Sequence, residues 1–356
     1  MFDKTCPASL CLMLVWNSSC VVLCKIYAKM RKKILVTGGA GFIGSHLCER
    51  LLADGNEVIV LDNFFTGSRQ KVEHLLHNSS FTLLRHDITF PYFEKVDCIY
   101  NLACPSAPGS YMRDPVMTLK TSLIGTINIL ELAKRMQARV VQASSAEVYG
   151  KMCRFPVSEE YRGSVDTVGE GSSYAEGKRA AETICMAYRN QYGVDVRIAR
   201  LFHIYGPGMP LNDGRLLSGF IRSAFDNEPL VIRGNAAQMR SFLYIDDAID
   251  ALIRLMDYNG EIAKPVNIGS VESIRIDALA EDVVHLTDSQ SKIVCLNLRS
   301  DSAPFVVPEI GYAQRQLGWE PTISIEEGLI RTIKEFDRVR AATQKSFAGL
   351  SWVEIM

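Results

Sequence analysis

A tyrosine and a lysine stand four residues apart in the middle of the chain, at Tyr174 and Lys178. On a helix, this spacing puts both side chains on one face. A neighbouring ammonium group lowers the pKa of a phenol from its ordinary value of ~10, which would let Tyr174 exchange a proton near neutral pH. Ser145 precedes the pair by 29 residues and could hold the reacting oxygen. These three side chains predict proton transfer at a hydroxyl or carbonyl group.

The hydrophobic pattern supplies a scaffold that could position these residues. From residue 33 onward, short β-rich runs alternate with helical stretches. Strands separated by helical crossovers predict an α/β fold, with a doubly wound, parallel, Rossmann-type sheet and a ligand crevice at the carboxyl ends of the strands. The predicted strands cover 34–37, 57–61, 81–85, 98–102, 139–143 and 195–201, and the predicted helices cover 42–53, 115–136 and 174–192.

The turn after the first predicted strand is rich in glycine, with Gly38, Gly41 and Gly44. Such a turn lets the backbone approach a pyrophosphate, which then rests on the amino end of the next helix. Asp62 follows Gly44 by 18 residues, where a carboxylate can bond the ribose hydroxyls of NAD and repel the extra phosphate of NADP. We therefore predict NAD, with NADP as an alternative. The other predicted cofactor contacts are Phe42, Ile43, Asn63, Asp87, Ile88, Leu102 and Ala103, together with Tyr174 and Lys178.

The composition excludes several classes of protein. The 356 residues carry a net charge of −1, and 47% of them are hydrophobic, which is enough for a sizeable core and argues against disorder. Near-neutral charge argues against a nucleic-acid-binding or polybasic membrane surface. The 10 cysteines form no CxxC pair and no Cys/His cluster at zinc spacing, so no metal site is predicted. We expect a cytoplasmic protein with reduced thiols.

The first 29 residues differ from the rest of the chain. Their apolar runs, at 10–16 and 20–24, are too short to span a membrane, and the basic residues follow these runs instead of preceding them as in a signal peptide. We expect residues 1–29 to be a dispensable appendage to a domain that begins near Met30. A weak membrane-surface anchor and an extra packed element are the alternatives.

With these motifs in order, the chain resembles the extended short-chain dehydrogenase/reductases that modify nucleotide sugars, over about 31–335. Ser145, Tyr174 and Lys178 match the triad of that family. The sequence motifs of this chain are most similar to those of the UDP-glucuronate decarboxylases. The matching segments are LDNFFTG at 61–67, RHDIT at 85–89, YNLACP at 100–105, EVYG at 147–150, NDGR at 212–215 and LGWEP at 317–321.

The resemblance implies a nucleotide-sugar substrate and a homodimer formed through the helices 115–136 and 174–192. It also implies an NAD-binding and catalytic domain over 30–201. A smaller mixed α/β substrate domain would follow over 202–340, and then a tail over 341–356.

At the catalytic strand end the chain departs from its nearest relatives. The decarboxylase pattern Thr-Ser-Glu is here Ser145-Ala146-Glu147. Glu147 is thus kept as a catalytic carboxylate, but the serine that helps to seat the sugar carboxylate is lost. A 4,6-dehydratase is disfavoured, because Ala146 cannot supply the proton that an aspartate gives in those enzymes.

The expected substrate pocket departs as well. His203 and Gly208 replace an asparagine and an arginine of the decarboxylase phrase FNTYGPRM, and Gly219 replaces the asparagine of SNF. An arginine-bearing stretch is also missing at 303–308. Arg240 remains to bind a nucleotide phosphate or a sugar carboxylate, and Ser145 and His203 are the other candidate substrate contacts.

The loss of charge-assisted bonds to an anion, each worth ~1.5–3 kcal/mol, favours an uncharged sugar. We therefore expect an NAD(H)-dependent reductase of a dTDP- or UDP-linked 4-keto-6-deoxyhexose, acting in surface polysaccharide (O-antigen) biosynthesis, with Tyr174 as proton donor. Three alternatives stay open: a UDP-glucuronate decarboxylase that forms UDP-xylose, a nucleotide-sugar 4-epimerase, and a non-catalytic NAD-binding module.

Overall fold

The computed structural model describes residues 31–150, 156–296 and 307–348, with side chains up to residue 341. Its strands are short and spread along the chain. They are β1 (Lys33–Thr37), β2 (Glu57–Asp62), β3 (Phe81–Arg85), β4 (Cys98–Asn101), β5 (Arg139–Ser145), β6 (Val196–Leu201), β7 (Ile204–Tyr205), β8 (Leu230–Arg233), β9 (Met239–Arg240), β10 (Leu243–Tyr244), β11 (Val266–Ile268), β12 (Ile274–Arg275) and β13 (Ile293–Leu296).

Helices follow most of these strands. They are α1 (Phe42–Ala53), α2 (Pro108–Tyr111), α3 (Pro115–Met136), α4 (Ser172–Tyr192), α5 (Leu216–Phe225), α6 (Ile245–Asp257), α7 (Ile276–Leu286), α8 (Gly311–Leu317) and α9 (Ile325–Ala348). The expected bounds of α1 and α3 agree with these, and α4 begins two residues before its expected start.

Seven strands form a parallel sheet in the order β11-β6-β5-β4-β1-β2-β3. This is the doubly wound Rossmann-type architecture, and the predicted fold class is confirmed. Side chains on both faces of the sheet are buried: Val36 and Val60 pack in one core cluster, and Leu35 and Leu61 in the other. Burial on both faces explains why the strands are continuously apolar rather than alternating.

The sheet edge beyond β6 comes from the part of the chain that follows residue 201. β11 pairs in parallel with β6, from Val266 opposite Ala199 to Ile268 opposite Leu201. The remaining short strands pair outside the main sheet, as β7 with β10, β8 with β13 and β9 with β12. The expected boundary at 340 falls inside α9, whose helical pattern continues to Ala348. The appendage expected over 1–29 lies outside the described residues.

Helix α3 is long and apolar enough, by length and composition, to be a candidate membrane span. Half of its apolar window is buried inside the protein, however, and the helix packs against α4. A π-helical turn over Thr121–Gly125 interrupts its regular hydrogen bonding. Such turns often occur beside functional sites, and Thr121 lines the cavity described below.

A buried ion pair fixes α4 against the sheet. Arg200 of β6 donates two hydrogen bonds to the carboxylate of Glu182 on α4, at 2.9 and 2.7 Å, and the two side chains are 11% and 12% exposed. Ser144, near the end of β5, donates a third bond to the same carboxylate at 2.6 Å. These contacts fix the position of α4 relative to the carboxyl ends of β5 and β6.

Replacing Glu182→Gln should lower the free energy of unfolding by about 3 kcal/mol, because the Arg200 charge would be left buried without a counter-charge. Urea unfolding followed by circular dichroism measures this. Glu176→Gln is the matched control, since its pair with Arg179 on the same helix is long (3.6 Å) and about one third exposed. The control should lose less than about 0.5 kcal/mol. An equal loss in both variants would contradict the anchoring role of Glu182.

Candidate active site

One large cavity opens at the carboxyl edge of the sheet. Its volume is about 1720 Å³, which exceeds the ~300–1,000 Å³ of an ordinary small-molecule pocket and leaves room for two bound molecules. Every site residue predicted from the sequence lies in its lining. These are Gly38, Gly41, Phe42, Ile43, Gly44, Asp62, Asn63, Asp87, Ile88, Leu102, Ala103, Ser145, Glu147, Tyr174, Lys178, His203 and Arg240.

The glycine-rich turn after β1 is closely packed. Gly38 has φ +69°, and a Cβ atom there would lie 2.9 Å from the Cα atom of Ala103. A Cβ atom on Gly44 would collide with the backbone of Gly38. Helix α1 then begins at Phe42 with no side-chain cap and no acidic residue in its first turn. Its unpaired N–H groups at the cavity wall suit the pyrophosphate of a dinucleotide.

Two acidic residues of the cavity lining lie at the end of β2 and just after β3. The carboxylate of Asp62 accepts bonds from the backbone N–H groups of Ala40 (3.0 Å) and Phe64 (2.8 Å). Burial raises the pKa of Asp62, and the two backbone bonds oppose this shift. Burial also acts to raise the pKa of Asp87, but bonds from Thr89 and Asn63 outweigh it and lower the pKa. The ribose and adenine contacts of these residues remain predictions.

The triad expected from the sequence comes together at the ends of β5 and α4. Ser145, Tyr174 and Lys178 are 9%, 6% and 4% exposed. Tyr174 and Ser145 share a hydrogen bond. The ammonium of Lys178 donates to the carbonyl oxygen of Ala143 at 2.9 Å and lies 5.7 Å from the ring centroid of Tyr174.

The expectation that the pKa of Tyr174 is lowered is wrong for the protein as described. Burial raises the pKa of Tyr174, the charges of Cys104 and Glu147 add to the rise, and the bond with Ser145 only partly opposes it. Among the described hydrogen bonds, that of the Lys178 ammonium goes to the backbone carbonyl of Ala143. Burial therefore favours the protonated phenol of Tyr174, which is the state that donates a proton to a keto oxygen.

A second tyrosine, which the sequence reasoning missed, lies against the first. The rings of Tyr111 and Tyr174 stack at 5.0 Å with an interplanar angle of 6°. Burial raises the pKa of Tyr111 to about 12, with a further rise from Glu147. Tyr111 ends the four-residue helix α2, which is too short to leave a periodic pattern, so no sequence signal pointed to it.

Three charged or titratable groups, Glu147, Arg240 and His203, lie close to one another in the cavity lining. Burial raises the pKa of Glu147, and the charge of Arg240 opposes this. Burial lowers the pKa of Arg240, and Glu147 opposes that shift. The pKa of His203 is lowered to about 4 by burial first and then by the charges of Arg240 and Arg215. His203 is therefore neutral at pH 7, and its buried Nδ1 has no hydrogen-bond partner within the described structure.

Only one of the two glycines that replace a polar residue of the decarboxylase pattern lies in the described cavity lining. Gly208, which stands in place of an arginine, is exposed, and it is absent from the described cavity lining. Its carbonyl oxygen accepts a bond from Lys71. Gly219 does line the cavity, and a Cβ atom there would meet open space. Residues 303–306 lie outside the described residues.

More cations face the cavity than the sequence reasoning identified. Besides Arg240, the lining of its C-terminal part contains Arg215, Arg222 and Arg233. Arg215 donates to the hydroxyl of Ser106 at 3.0 Å. The motif NDGR contains Arg215, but no pattern in the sequence placed the other two arginines in the same cavity.

Comparison with known proteins agrees with this geometry. Residues 34–269 match the NAD dependent epimerase/dehydratase family. The chain belongs to this family. NAD is accordingly its cofactor, and the uncapped helix α1 and the close-packed glycine turn fit that molecule.

Two curated relatives are both named UDP-glucuronic acid decarboxylase. The chain is 46% identical over 308 residues to UDP-glucuronic acid decarboxylase 1 of Xenopus tropicalis, covering 86% of this chain and 73% of that protein. It is 44% identical over 314 residues to UDP-glucuronic acid decarboxylase 6 of Arabidopsis thaliana, covering 88% of this chain and 91% of that protein.

Among solved structures, the chain is similar to the UDP-glucuronic acid 4-epimerase of Bacillus cereus in complex with UDP-glucuronic acid and NAD. The TM-score is 0.78 at 27% identity, and the match covers 86% of this chain and 99% of that one. The enzyme class is therefore that of NAD-dependent nucleotide-sugar epimerases, dehydratases and decarboxylases.

The lowered pKa of His203 predicts an acid-sensitive fold. The unfolded chain takes up a proton at this residue near pH 6.5 and the folded chain only near pH 4, so stability is full above pH ~6.5 and falls as the pH drops toward 4. The loss between pH 7 and pH 4.5 should be about 2 kcal/mol.

Urea unfolding at the two pH values, on wild type and on His203→Asn, measures this contribution. The variant should lose about 2 kcal/mol less than wild type on acidification. His77→Asn, at an exposed histidine, is the control and should behave as wild type. Equal acid sensitivity of His203→Asn and wild type would contradict the buried neutral state.

Proposed function

We propose that the protein is a UDP-glucuronate decarboxylase that forms UDP-xylose. The observation that carries the proposal is the 44–46% identity to proteins named UDP-glucuronic acid decarboxylase, which extends over most of the chain. The comparisons favour this alternative over the 4-keto-6-deoxyhexose reductase expected from the sequence. That expectation rested on lost pocket cations, and the arginines at 215, 222, 233 and 240 reduce its weight.

The triad suits the first half of this reaction. In this reaction Ser145 would hold O4 of the sugar through its hydroxyl, and Tyr174, as the phenolate, would take the O4 proton as hydride leaves carbon 4. NAD would supply the hydride acceptor when bound, and its positively charged nicotinamide ring would favour the phenolate form of Tyr174 that this step needs. The hydrogen bond from Lys178 to the carbonyl oxygen of Ala143 would keep α4 in the position that this proton transfer requires.

The second half follows from the chemistry of the oxidised sugar. A ketone at carbon 4 makes the carboxylate on carbon 5 a β-keto acid, so the bond between carbons 5 and 6 breaks and its electron pair moves toward O4. Carbon dioxide leaves, and carbon 5 takes up a proton. We assign that proton to Glu147, because burial raises its pKa. Hydride then returns to carbon 4, and Tyr174 protonates O4.

Arg240 and its neighbours supply the binding charges in this scheme. UDP-glucuronate carries a diphosphate and a carboxylate, and four arginines line the part of the cavity built after residue 201. The charge of Glu147 acts on the pKa of Arg240. We therefore assign Arg240, among the four arginines, to the sugar end of the cavity. We assign the sugar carboxylate to Arg240 and the diphosphate to the arginines at 215, 222 and 233.

The assay offers UDP-glucuronate to the purified holoenzyme without added cofactor. We expect carbon dioxide and UDP-xylose in equal amounts, because the hydride returns to carbon 4 within one turnover. Conversion to UDP-galacturonate without carbon dioxide would mean a 4-epimerase. NADH consumption with dTDP-4-keto-6-deoxyglucose, and no carbon dioxide from UDP-glucuronate, would contradict the proposal in favour of a reductase.

Tyr174→Phe should lower the turnover number ~10²–10⁴-fold, because it removes the group that carries the O4 proton. Tyr188→Phe is the matched control. Tyr188 lies on the same helix and bonds Glu131, and it is not part of the described cavity lining. Unchanged turnover in Tyr174→Phe would contradict the role of Tyr174 and mean that another group carries the O4 proton.

We also propose a homodimer formed through α3 and α4. The outer face of α3 leaves four large apolar side chains more than a third exposed: Val116, Leu119, Ile124 and Ile127. Their spacing puts them on one side of the helix, and such a patch on a folded protein marks an interaction site. Tyr192 at the end of α4 is 47% exposed.

Ile124→Lys should convert the dimer into a monomer, because a charge would be buried at the interface. Size-exclusion chromatography with light scattering gives the mass. Ile330→Lys on α9 is the control, since Ile330 is 45% exposed against 43% for Ile124, and it should leave the dimer intact. A monomeric wild-type protein would contradict the proposal.

A further inference from the structure

Two loops meet above the phosphate-binding turn. The guanidinium carbon of Arg113 lies 4.6 Å from the ring centroid of Phe65. Phe65 belongs to the loop after β2, and Arg113 to the segment between β4 and α3. In the sheet, β1 lies between β4 and β2. A contact between the loops that follow the two outer strands must therefore pass over the turn that follows β1, where the pyrophosphate of NAD is expected.

The phenyl ring of Phe65 stands on a well-bonded loop. The backbone N–H of Phe65 donates to the side-chain oxygen of Asn63 at 3.0 Å, and the Asn63 amide donates to the carboxylate of Asp87 at 2.9 Å. Ser68 donates its backbone N–H to the carbonyl oxygen of Ala40 at 3.0 Å, which ties the far end of the loop to the phosphate-binding turn. The ring is thus held at the rim of the cofactor groove.

Arg113 is fixed at its backbone, and its guanidinium contacts the ring of Phe65. The next residue, Asp114, caps α3 by accepting a bond from the backbone N–H of Met117 at 2.9 Å. The Arg113 side chain is exposed and lines the cavity. The loops after β1, β2 and β4 all contribute residues to the cavity lining. Among the described ones, Arg113 is the positively charged residue.

We propose that Arg113 and Phe65 form a clasp that closes over the pyrophosphate of bound NAD and slows its release. A guanidinium can stack on an aromatic ring and still direct its N–H donors at phosphate oxygens. The clasp would suit a reaction in which the dinucleotide is returned to its starting state in each turnover. It depends on NAD and not on which sugar is converted.

The test measures NAD release from the holoenzyme in the absence of any sugar. Protein loaded with radiolabelled NAD is diluted into excess unlabelled NAD, and the retained label is followed by rapid gel filtration. Arg113→Ala and Phe65→Ala should each release NAD about three- to tenfold faster than wild type. The double variant should release it no faster than the faster single variant, because both substitutions break the same contact.

Arg135→Ala is the matched control. Arg135 lies 5.2 Å from the ring centroid of Phe93 in a second exposed pair, and neither residue is part of the described cavity lining. It removes the same charge and should leave the release rate within twofold of wild type. The clasp is ruled out if Arg113→Ala releases NAD as slowly as Arg135→Ala, or if the two clasp substitutions multiply in the double variant. Because no sugar is present, neither result bears on the decarboxylation proposal.

Discussion

One buried hydrogen bond holds the reactive groups of this protein in place. The ammonium of Lys178 donates to the carbonyl oxygen of Ala143, one turn of α4 beyond Tyr174 and two residues before Ser145. A buried ammonium without such a partner would cost several kcal/mol, so the bond restricts where α4 can lie. With the bond made, the phenol and the serine hydroxyl meet at one edge of the sheet. The ion pair between Glu182 and Arg200 secures the same helix one turn further along.

Burial then determines the proton chemistry at this edge. The same loss of solvent raises the pKa values of Tyr174 and Glu147 and lowers that of His203. Burial therefore favours the protonated forms of Tyr174 and Glu147 and the uncharged form of His203. Such a site can return protons to a keto sugar and to a carbanion-like carbon. In the proposed function, the amino end of α1 would bind the pyrophosphate of NAD, and arginines of the C-terminal part would bind the charges of the substrate.

Local patterns in the sequence predicted most of the scaffold. Short sequence segments are enough to recognise the glycine turn, the strand ends and the four-residue spacing of Tyr174 and Lys178. The structure brings these features into one cavity. Contacts between distant segments could not be predicted in this way. Tyr111, Arg113 and Arg233 reach the cavity through loop geometry that no periodicity encodes. The sign of the Tyr174 pKa shift was wrong, because spacing reveals a nearby lysine but not the burial that outweighs it.

The central claim of the proposed function is that the hydride removed from carbon 4 of UDP-glucuronate would return to the same carbon after carbon dioxide has left. The most direct measurement supplies UDP-glucuronate with deuterium at carbon 4, together with excess unlabelled NADH in solution. We expect UDP-xylose that keeps its deuterium at carbon 4. Product that carries ordinary hydrogen there, or the absence of UDP-xylose, would contradict the account.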